Sequence, residues 1–305
     1  MARSTQALIE LLDLERIEDN IYRGRNRDIG SGRIFGGQVL AQALVAARRT
    51  IDQEDRAAHS LHGYFILEGD LDIPVVYFVD CLRDGRSFTT RNVTAIQHGR
   101  AIFTLSASFH RTEESLSHQA TMPDVPPPEK LRSELEIVRE APEKIPARLR
   151  DMLIQDRPLD FRPVEPYHPF DREARAPVRR TWVRSSGSLG DDPAHHQAAL
   201  AYASDYGILS TALQPHGRNV RDRDLMAASL DHSLWCHRPF RADEWLLYVV
   251  ESPVAHGARG FATGSFFTRD GQLVASAAQE GLLRIITPRT PEGRPAGTAP
   301  QDSSP

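Results

Sequence analysis

Apolar positions at helical spacing mark two long stretches of the chain, residues 36–49 and residues 195–213. In both, small and aliphatic residues recur three, four and seven positions apart, as on one side of a helix. Each stretch is followed by four shorter segments that predict strands, at 59–67, 74–83, 87–97 and 101–111 in the first half and at 226–236, 245–252, 259–268 and 273–284 in the second. The order of one long helix and four strands therefore occurs twice.

Two tight turns support an internal duplication. Residues 97–100 (QHGR) join the last two predicted strands of the first half, and Asp270-Gly271 takes the same place in the second, 172 residues later. Residues 62–65 (HGYF) align with residues 232–235 (HSLW) at nearly the same offset. Hairpins in place of strand–helix–strand crossovers favour an α+β fold with antiparallel strands. A long helix wrapped by such a sheet is the hotdog arrangement, so two copies in one chain predict a double hotdog.

The segment between the two halves is rich in proline. Prolines at 123 and 126–128 mark a linker, and residues 134–155 look helical but are interrupted by Pro142 and Pro146, which predicts two short helices. Residues 19–30 are expected to form a first strand. The tail has five prolines and no large apolar side chain, so it is predicted to be disordered. The expected organisation is an N-terminal repeat, a proline-rich linker with short helices, a C-terminal repeat and the tail, over residues 1–112, 113–156, 157–286 and 287–305.

Charge and cysteine usage exclude several classes of partner. The formal net charge is −4, so no basic surface indicates binding to nucleic acid. No run of about 18 apolar residues is present, so no membrane span is expected. The N-terminus is typical of an acidic amphipathic helix rather than a signal peptide. Cys81 and Cys236 lie far apart and suggest no disulfide framework, which favours the cytoplasm. No histidine or cysteine spacing indicates a metal site, and no cofactor is expected.

Three polar residues fall on predicted apolar faces. Asp205 lies on the small, apolar stripe of the second long helix, where a carboxylate is costly to bury unless it is hydrogen-bonded. Gln279 shares a strand face with leucine and alanine, so its amide also needs partners. Ser229 lies on a strand where alternation places it on the opposite face from His232. The three could converge on one water or carbonyl, or be satisfied separately, and Asp205 could reach solvent at the edge of the core. Spacing leaves these alternatives open.

Several segments between about residue 6 and residue 285 carry a family resemblance. They are IFGGQVLAQAL (34–44), HSLHGYFILEGD (59–70), LRDGRSFTTRNVTAIQHGR (82–100), YASDYGIL (202–209), LQPHG (213–217), LDHSLWCHRPF (230–240), EWLLY (244–248) and VASAAQEGLLR (274–284). In combination they resemble the acyl-CoA thioesterase II family, the double-hotdog enzymes that hydrolyse fatty acyl-CoA. In that family an Asp, a Thr or Ser, and a Gln organise the hydrolytic water. By motif these roles fall on Asp205, Ser229 and Gln279, with Ser229 lacking the methyl group of the more usual Thr.

The resemblance implies a thioester hydrolase of fatty acid and lipid metabolism that needs no cofactor. Its substrate is expected to be acyl-CoA, with arginines holding the phosphates of CoA. In the expected mechanism the three residues orient a water at the thioester carbonyl, and Asp205 accepts its proton. Aligning the two long helices places Ala46 opposite Asp205, so one active site per chain is expected, in the C-terminal repeat. A homo-oligomer, either a dimer or a tetramer, is also implied.

Two other functions fit parts of the sequence. A hotdog enoyl-CoA hydratase uses an Asp and a His five residues apart, and Asp191 and His196 have that spacing, although Gly190 stands where the motif requires the Asp. A non-catalytic acyl-CoA binding module is the second alternative. His59 or His62 could be proposed as a base, but a structural or substrate-gating role is favoured for both. Release of free thiol separates hydrolysis from both alternative functions.

Overall fold

Two helices lie against one long antiparallel sheet. A computed structural model describes residues 2–30, 32–168 and 170–286. The helices are α1 (Ala2–Leu12), α2 (Gly36–Arg48), α3 (Glu134–Glu140), α4 (Ala147–Leu153), α5 (Pro193–Ser204) and α6 (Ile208–Thr211), with 3-10 turns at Pro128–Lys130, Pro142–Lys144 and Gln214–His216. The strands are β1 (Glu15–Glu18), β2 (Ile21–Gly24), β3 (Arg56–Phe65), β4 (Val75–Asp84), β5 (Phe88–Gln97), β6 (Arg100–Arg111), β7 (Leu159–Pro163), β8 (Val178–Ser185), β9 (Leu225–Ser229), β10 (Asp231–Cys236), β11 (Leu246–His256), β12 (Arg259–Thr268) and β13 (Leu273–Ile285).

The strand order is mirrored about the middle of the sheet. It runs β1-β2-β4-β5-β6-β3-β10-β13-β12-β11-β8-β7, with β9 also paired to β13. The two halves meet where β3 and β10 pair antiparallel, with Leu61 opposite Leu234. Outward from that pair, β6 corresponds to β13, β5 to β12 and β4 to β11. The order is the one expected of two copies joined edge to edge, and it confirms the predicted α+β double hotdog.

The helices α2 and α5 pack against each other in the core. Most of α2 is buried, as expected for a helix enclosed by a sheet. The N-terminus of α2 meets the C-terminus of α5 so closely that a Cβ atom at Gly37 would lie 2.5 Å from the backbone oxygen of Tyr202. Glycine is therefore required at this crossing. The close approach brings the two repeats together at the end of α5.

The helix predicted over residues 195–213 is interrupted, so the prediction of one continuous helix is wrong. The helix α5 ends at Ser204, Asp205 takes the capping position, and α6 begins only at Ile208. The break is at Gly207, whose φ of +80° is left-handed, a conformation that glycine adopts without steric cost. Asp205 is consequently not a member of a continuous helical stripe. It is nevertheless buried, because the end of α5 lies inside the fold.

Other predicted elements have mixed outcomes. Two short helices separated by Pro142 and Pro146 are confirmed as α3 and α4. The single strand expected over 19–30 is wrong: β1 and β2 form a hairpin that turns at Asn20, with φ of +61°, and the chain after Gly24 is not in a strand. The predicted disordered tail, residues 287–305, lies outside the described residues. Within the described ranges, no helix is long and apolar enough to cross a membrane.

Candidate functional site

Asp205 lies where the two repeats meet. It is 9% exposed, and its Oδ2 accepts a 2.8 Å hydrogen bond from the backbone N–H of Gly37 in the first turn of α2. Burial raises the pKa of Asp205, and the opposing influences of His232, the Gln279 amide and the Gly37 N–H do not cancel that rise. The positive end of the α2 dipole also favours a carboxylate here. Asp205 is thus a buried acid from the C-terminal repeat, held by a helix of the N-terminal repeat.

Gln279 and Ser229 lie on paired strands and bond to each other. Gln279 in β13 is 1% exposed, and its Nε2 donates to Ser229 Oγ at 2.7 Å. Both β9 and β10 pair with β13, but the register slips by one residue between Ser229 and Asp231. This bulge turns Ser229 and His232 to the same side, and both contact Gln279. The predicted alternation, which separated Ser229 from His232, is therefore wrong.

His232 is a member of this cluster that the sequence reasoning missed. It is fully buried, its Nδ1 lies 2.5 Å from Gln279 Oε1, and its Nε2 lies 2.9 Å from Ser204 Oγ. Burial lowers the pKa of His232, although nearby Asp205 opposes this effect. The available signal was a histidine between two leucines on a strand face predicted to be apolar. Such a residue needs buried partners, as Asp205 and Gln279 do.

The three residues predicted from sequence line one cavity of about 840 Å³. Asp205, Ser229 and Gln279 stand on its wall, next to Gly36 at the start of α2. The volume is within the range of small-molecule sites. Apolar side chains from the N-terminal repeat, the linker and the C-terminal repeat supply much of the remaining wall: Ile34, Phe65, Ile102, Phe103, Val138, Leu153, Phe161, Leu209 and Leu230. The structure thus brings the predicted polar groups together beside a large apolar space.

A buried ion-pair cluster supports the loop after Asp205. Glu134 of α3 is 6% exposed and accepts hydrogen bonds from Arg157 at 2.8 Å, Arg179 at 3.2 Å and the Tyr206 hydroxyl at 2.7 Å. Burial alone would raise the pKa of Glu134, but the two arginines outweigh it and the net shift is downward. Tyr206 directly follows Asp205. A side chain at Gly207 would collide with Arg179. The linker therefore anchors the residue next to the buried acid.

Further charged side chains line the same cavity. Arg33 forms a 2.5 Å ion pair with Glu68, and both side chains are more than half exposed, at 56% and 55%. Guanidinium groups suit phosphate oxygens because they can donate two parallel hydrogen bonds. The cavity-lining arginines outside the Glu134 cluster are Arg27, Arg33, Arg175, Arg218 and Arg221. Part of the wall can therefore bind an anionic group.

His59 and His62 do not belong to the cavity wall. His62 stands opposite Ser233 in the β3–β10 pairing, one position from the inward-facing His232, so it points to the outer face of the sheet. Its Nδ1 lies 3.0 Å from Ser233 Oγ, and His59 Nε2 lies 2.8 Å from Ser108 Oγ on that face. These contacts agree with a structural role.

Asp191 and His196 do not form a catalytic pair. Asp191 is paired with Arg241 at 2.9 Å, and its side chain is 97% exposed. His196 is 2% exposed and bonds two backbone groups, each at 3.0 Å. The neighbouring Asp192 caps α5 by accepting from the Ala194 N–H. Neither Asp191 nor His196 lines the cavity.

Among the described residues of the first repeat, no Asp or Glu is buried. Ala46 is fully buried within α2, which continues to Arg48. Over the ranges that the structure covers, no group of three or more His, Cys, Asp or Glu side chains could hold a metal ion. Asp205, Ser229 and Gln279, with His232 behind them, are therefore the candidate catalytic cluster.

Comparison with known proteins assigns the family. A model of acyl-CoA thioesterase matches residues 149–282, and one of the acyl-CoA thioesterase N-terminal domain matches residues 24–110. The chain is 40% identical to acyl-CoA thioesterase 2 of Haemophilus influenzae, over 91% of this chain and 97% of that protein. It is 42% identical to acyl-coenzyme A thioesterase 8 of Mus musculus, over 90% of this chain and 88% of that protein.

Solved structures agree with this assignment. An acyl-CoA thioesterase II from Mycobacterium marinum has a TM-score of 0.73 and 41% identity, over 90% of this chain and 97% of that one. A hotdog protein from Alicyclobacillus acidocaldarius, at 20% identity, has a TM-score of 0.73 over 91% of this chain and 98% of its own, and so shares the fold. The resemblance noted in the sequence is confirmed: the chain belongs to the acyl-CoA thioesterase II family.

Proposed function

We propose that the chain hydrolyses fatty acyl-CoA to a free fatty acid and CoA, with Asp205, Ser229 and Gln279 as the catalytic residues. The observation that carries this proposal is the meeting of a buried carboxyl, an amide and a hydroxyl on one wall of a largely apolar cavity. Family membership and relatives named acyl-CoA thioesterase support the reaction. No observation favours the hydratase, because Asp191 and His196 lie away from the cavity.

The reaction begins with a water held between Asp205, Ser229 and Gln279. Asp205 accepts a proton as the water oxygen attacks the thioester carbonyl carbon, which gives a tetrahedral intermediate with a negatively charged oxygen. The C–S bond then breaks, and the CoA thiolate takes the proton back from Asp205. A thioester is already activated, so positioning and one base suffice. The raised pKa of Asp205 makes it a stronger base than an exposed carboxylate.

Ser229 acts as a water-positioning hydroxyl rather than as the nucleophile. Its Oγ accepts from Gln279 Nε2, and its own proton remains free to bond the water. A nucleophilic serine requires an adjacent base. The ring of His232 contacts Gln279 and Ser204 instead of Ser229.

The oxyanion is stabilised at the N-terminus of α2. Gly36 borders the cavity beside Asp205, and backbone N–H groups at a helix start favour negative charge. The Gln279 amide is a second donor. Each such donor is typically worth about 10²–10³ in rate. The catalytic site thus uses both repeats, although its acid, hydroxyl and amide come from the C-terminal repeat.

The apolar wall accommodates the acyl chain, and the arginine-rich wall accommodates the phosphates of CoA. One catalytic site per chain is proposed, because Ala46 replaces the acid in the first repeat. The division into repeats at 1–112 and 157–286, with the linker at 113–156, is likewise proposed. Titration with a tight acyl-CoA analogue should find one hydrolytic site per chain; two would contradict the proposal.

We further propose a homo-oligomer that acts in fatty acid metabolism in the cytoplasm. Two free cysteines, Cys81 and Cys236, are compatible with a reducing compartment. A Saccharomyces cerevisiae relative, 26% identical, is named as a peroxisomal acyl-coenzyme A thioester hydrolase, so the compartment needs its own test. Light scattering of the purified chain tests assembly, and microscopy of the tagged chain in its own cells tests localisation.

Replacing Asp205 with Asn tests the function. The variant keeps an oxygen for the Gly37 N–H but cannot accept the water proton, so thiol release should fall by about 10²–10⁴. Stability at neutral pH should rise. The native-state pKa of Asp205 is above its unfolded value, so ionising this buried group costs stability as pH increases through that window.

The assay is release of free CoA thiol across a series of acyl chain lengths. Asp205→Asn should release thiol about 10²–10⁴ times more slowly than wild type, while thermal unfolding shows an intact fold. Near-full turnover in the variant would eliminate Asp205 as the base. A wild-type chain that binds acyl-CoA but releases no thiol at any chain length would favour the binding module.

A further inference from the structure

His232 is a buried titratable group that borders the catalytic cluster without reaching the cavity. It is fully buried, and it is absent from the described cavity wall to which Gln279 belongs. Its Nδ1 contacts Gln279 Oε1 at 2.5 Å, and its Nε2 contacts Ser204 Oγ at 2.9 Å. His232 therefore acts on a bound water or substrate through its neighbours: Gln279, which it contacts, and Asp205, whose pKa it lowers.

The orientation of the Gln279 amide needs a neighbour to define it. A half-turn of the amide exchanges an oxygen that only accepts with an NH2 group that only donates. The NH2 group bonds Ser229 and faces the Asp205 carboxylate. Ser229 cannot select between the two orientations, because a hydroxyl both donates and accepts. An ionised Asp205 can only accept, so it favours the amide orientation in which the NH2 group faces it. After Asp205 takes the proton of the water it can also donate, and this preference is lost. Only a fixed donor on the far side can hold the amide throughout the reaction.

The 2.5 Å contact between His232 Nδ1 and Gln279 Oε1 makes His232 that fixed donor. A neutral imidazole carries one proton. Gln279 Oε1 can only accept, so both ring nitrogens are paired only when the proton is on Nδ1 and the Ser204 hydroxyl donates to Nε2. The Ser204 hydroxyl lies 2.9 Å from the Ala201 carbonyl as well as 2.9 Å from Nε2. If the ring takes a second proton, this hydroxyl donates to the Ala201 carbonyl and accepts from Nε2, and Nδ1 still donates to Gln279. The donor is present in both charge states of His232.

The backbone gives His232 the space to occupy this place. The bulge between Ser229 and Asp231 turns its side chain inward, beneath Gln279. The residue paired with it on β3 is Gly63, where a Cβ would lie 2.9 Å from the Thr104 backbone oxygen and closer still to the Phe103 ring. The imidazole is thus enclosed by tightly packed strands.

We propose that His232 is a positioning residue: its Nδ1–H, which faces Gln279 Oε1, holds the Gln279 amide with its NH2 group toward Ser229, Asp205 and the catalytic water. The inference rests on the proposed function, since it assigns His232 a part in that hydrolysis. It predicts that loss of the Nδ1 donor lowers kcat while KM stays nearly unchanged, because His232 does not touch the cavity.

Substituting His232 with Asn or with Gln separates the contributions of its two ring nitrogens. In His232→Asn the amide nitrogen can take the place of Nδ1 and still donate to Gln279. In His232→Gln the longer side chain reaches the place of Nε2 and leaves Gln279 Oε1 without its donor. We expect kcat to fall about 10- to 100-fold in His232→Gln and to stay within about threefold of wild type in His232→Asn. KM for acyl-CoA should change little in either. Both variants place a neutral amide at position 232, so a difference in kcat between them does not come from a difference in polarity.

Thermal unfolding and nitrogen-15 NMR complete the test. Equal losses of kcat in the two variants, or losses that follow their melting temperatures, would overturn the positioning role. The imidazole resonances of His232 are identified as those that disappear when it is substituted, and in wild type they should show a proton on Nδ1. A neutral ring with its proton on Nε2 would also overturn the positioning role. If wild type releases no thiol from any acyl-CoA, the proposed function fails, and the NMR result still decides whether His232 is the donor to Gln279.

Discussion

A single methyl group added at Gly36 should separate the activity of the site from the stability of the fold. A Cβ at this position would lie 2.8 Å from Asp205 Oδ2 and 3.0 Å from two ring atoms of Phe65. Both neighbours are ends of side chains, so they can yield without moving the backbone. Alanine is also the better helix former, by up to about 1 kcal/mol over glycine. The change in unfolding free energy for Gly36→Ala should therefore be small.

The activity should respond much more strongly. Asp205 cannot yield without straining its 2.8 Å bond to the Gly37 N–H and moving away from the water it activates. Since misplacing a reacting group by about 1 Å can cost about 10² in rate, a smaller displacement should lower kcat about tenfold. The melting temperature should stay within about 3 °C of wild type.

The adjacent glycine provides the matched control. A Cβ at Gly37 would lie 2.5 Å from the backbone oxygen of Tyr202, so the crossing of α2 and α5 would have to open. Gly37→Ala should cost about 1–3 kcal/mol of stability, as overpacked core substitutions do. Thiol release and denaturant unfolding of both variants check the pair. Wild-type kcat in Gly36→Ala, or equal destabilisation of the two variants, would refute the reasoning.

Two further predictions concern buried charges. Because burial raises the pKa of Asp205, kcat/KM should fall as the pH drops through that raised value. The acidic limb of the pH–rate profile should therefore lie above the ordinary carboxyl pKa of 3.8. An acidic limb at or below pH 3.8 would contradict the role of burial. Glu134→Gln should leave Arg157 and Arg179 without their carboxylate and cost about 3–5 kcal/mol in urea unfolding. Glu129→Gln, which breaks an exposed ion pair with Arg269, is its control and should change stability little. Equal effects of these two substitutions would show that the Glu134 cluster is not a buried support.

The sequence alone determined the repeated architecture, because hydrophobic periodicity and hairpin residues are local properties. The spacing of apolar residues located α2, the strands β3 to β6 and the strands β11 to β13, and it predicted β9 and β10 as one strand. Pro142 and Pro146 marked the break between α3 and α4. It also singled out Asp205, Ser229 and Gln279, since polar groups at predicted apolar positions need partners. Family motifs then linked these three residues, which periodicity could not do.

Only the tertiary structure decided how those residues meet. The left-handed Gly207 took Asp205 out of a regular helix, and the bulge after Ser229 reversed the alternation that had separated Ser229 from His232. The contact of Asp205 with Gly37 joins residues 168 positions apart, and that of Gln279 with His232 joins residues 47 apart. Local pattern specifies which face of an element is apolar, whereas contacts between distant segments depend on how the helices cross and how the strands register. The buried acid was therefore visible in the sequence, but the groups that bond to it and contact its neighbours were not.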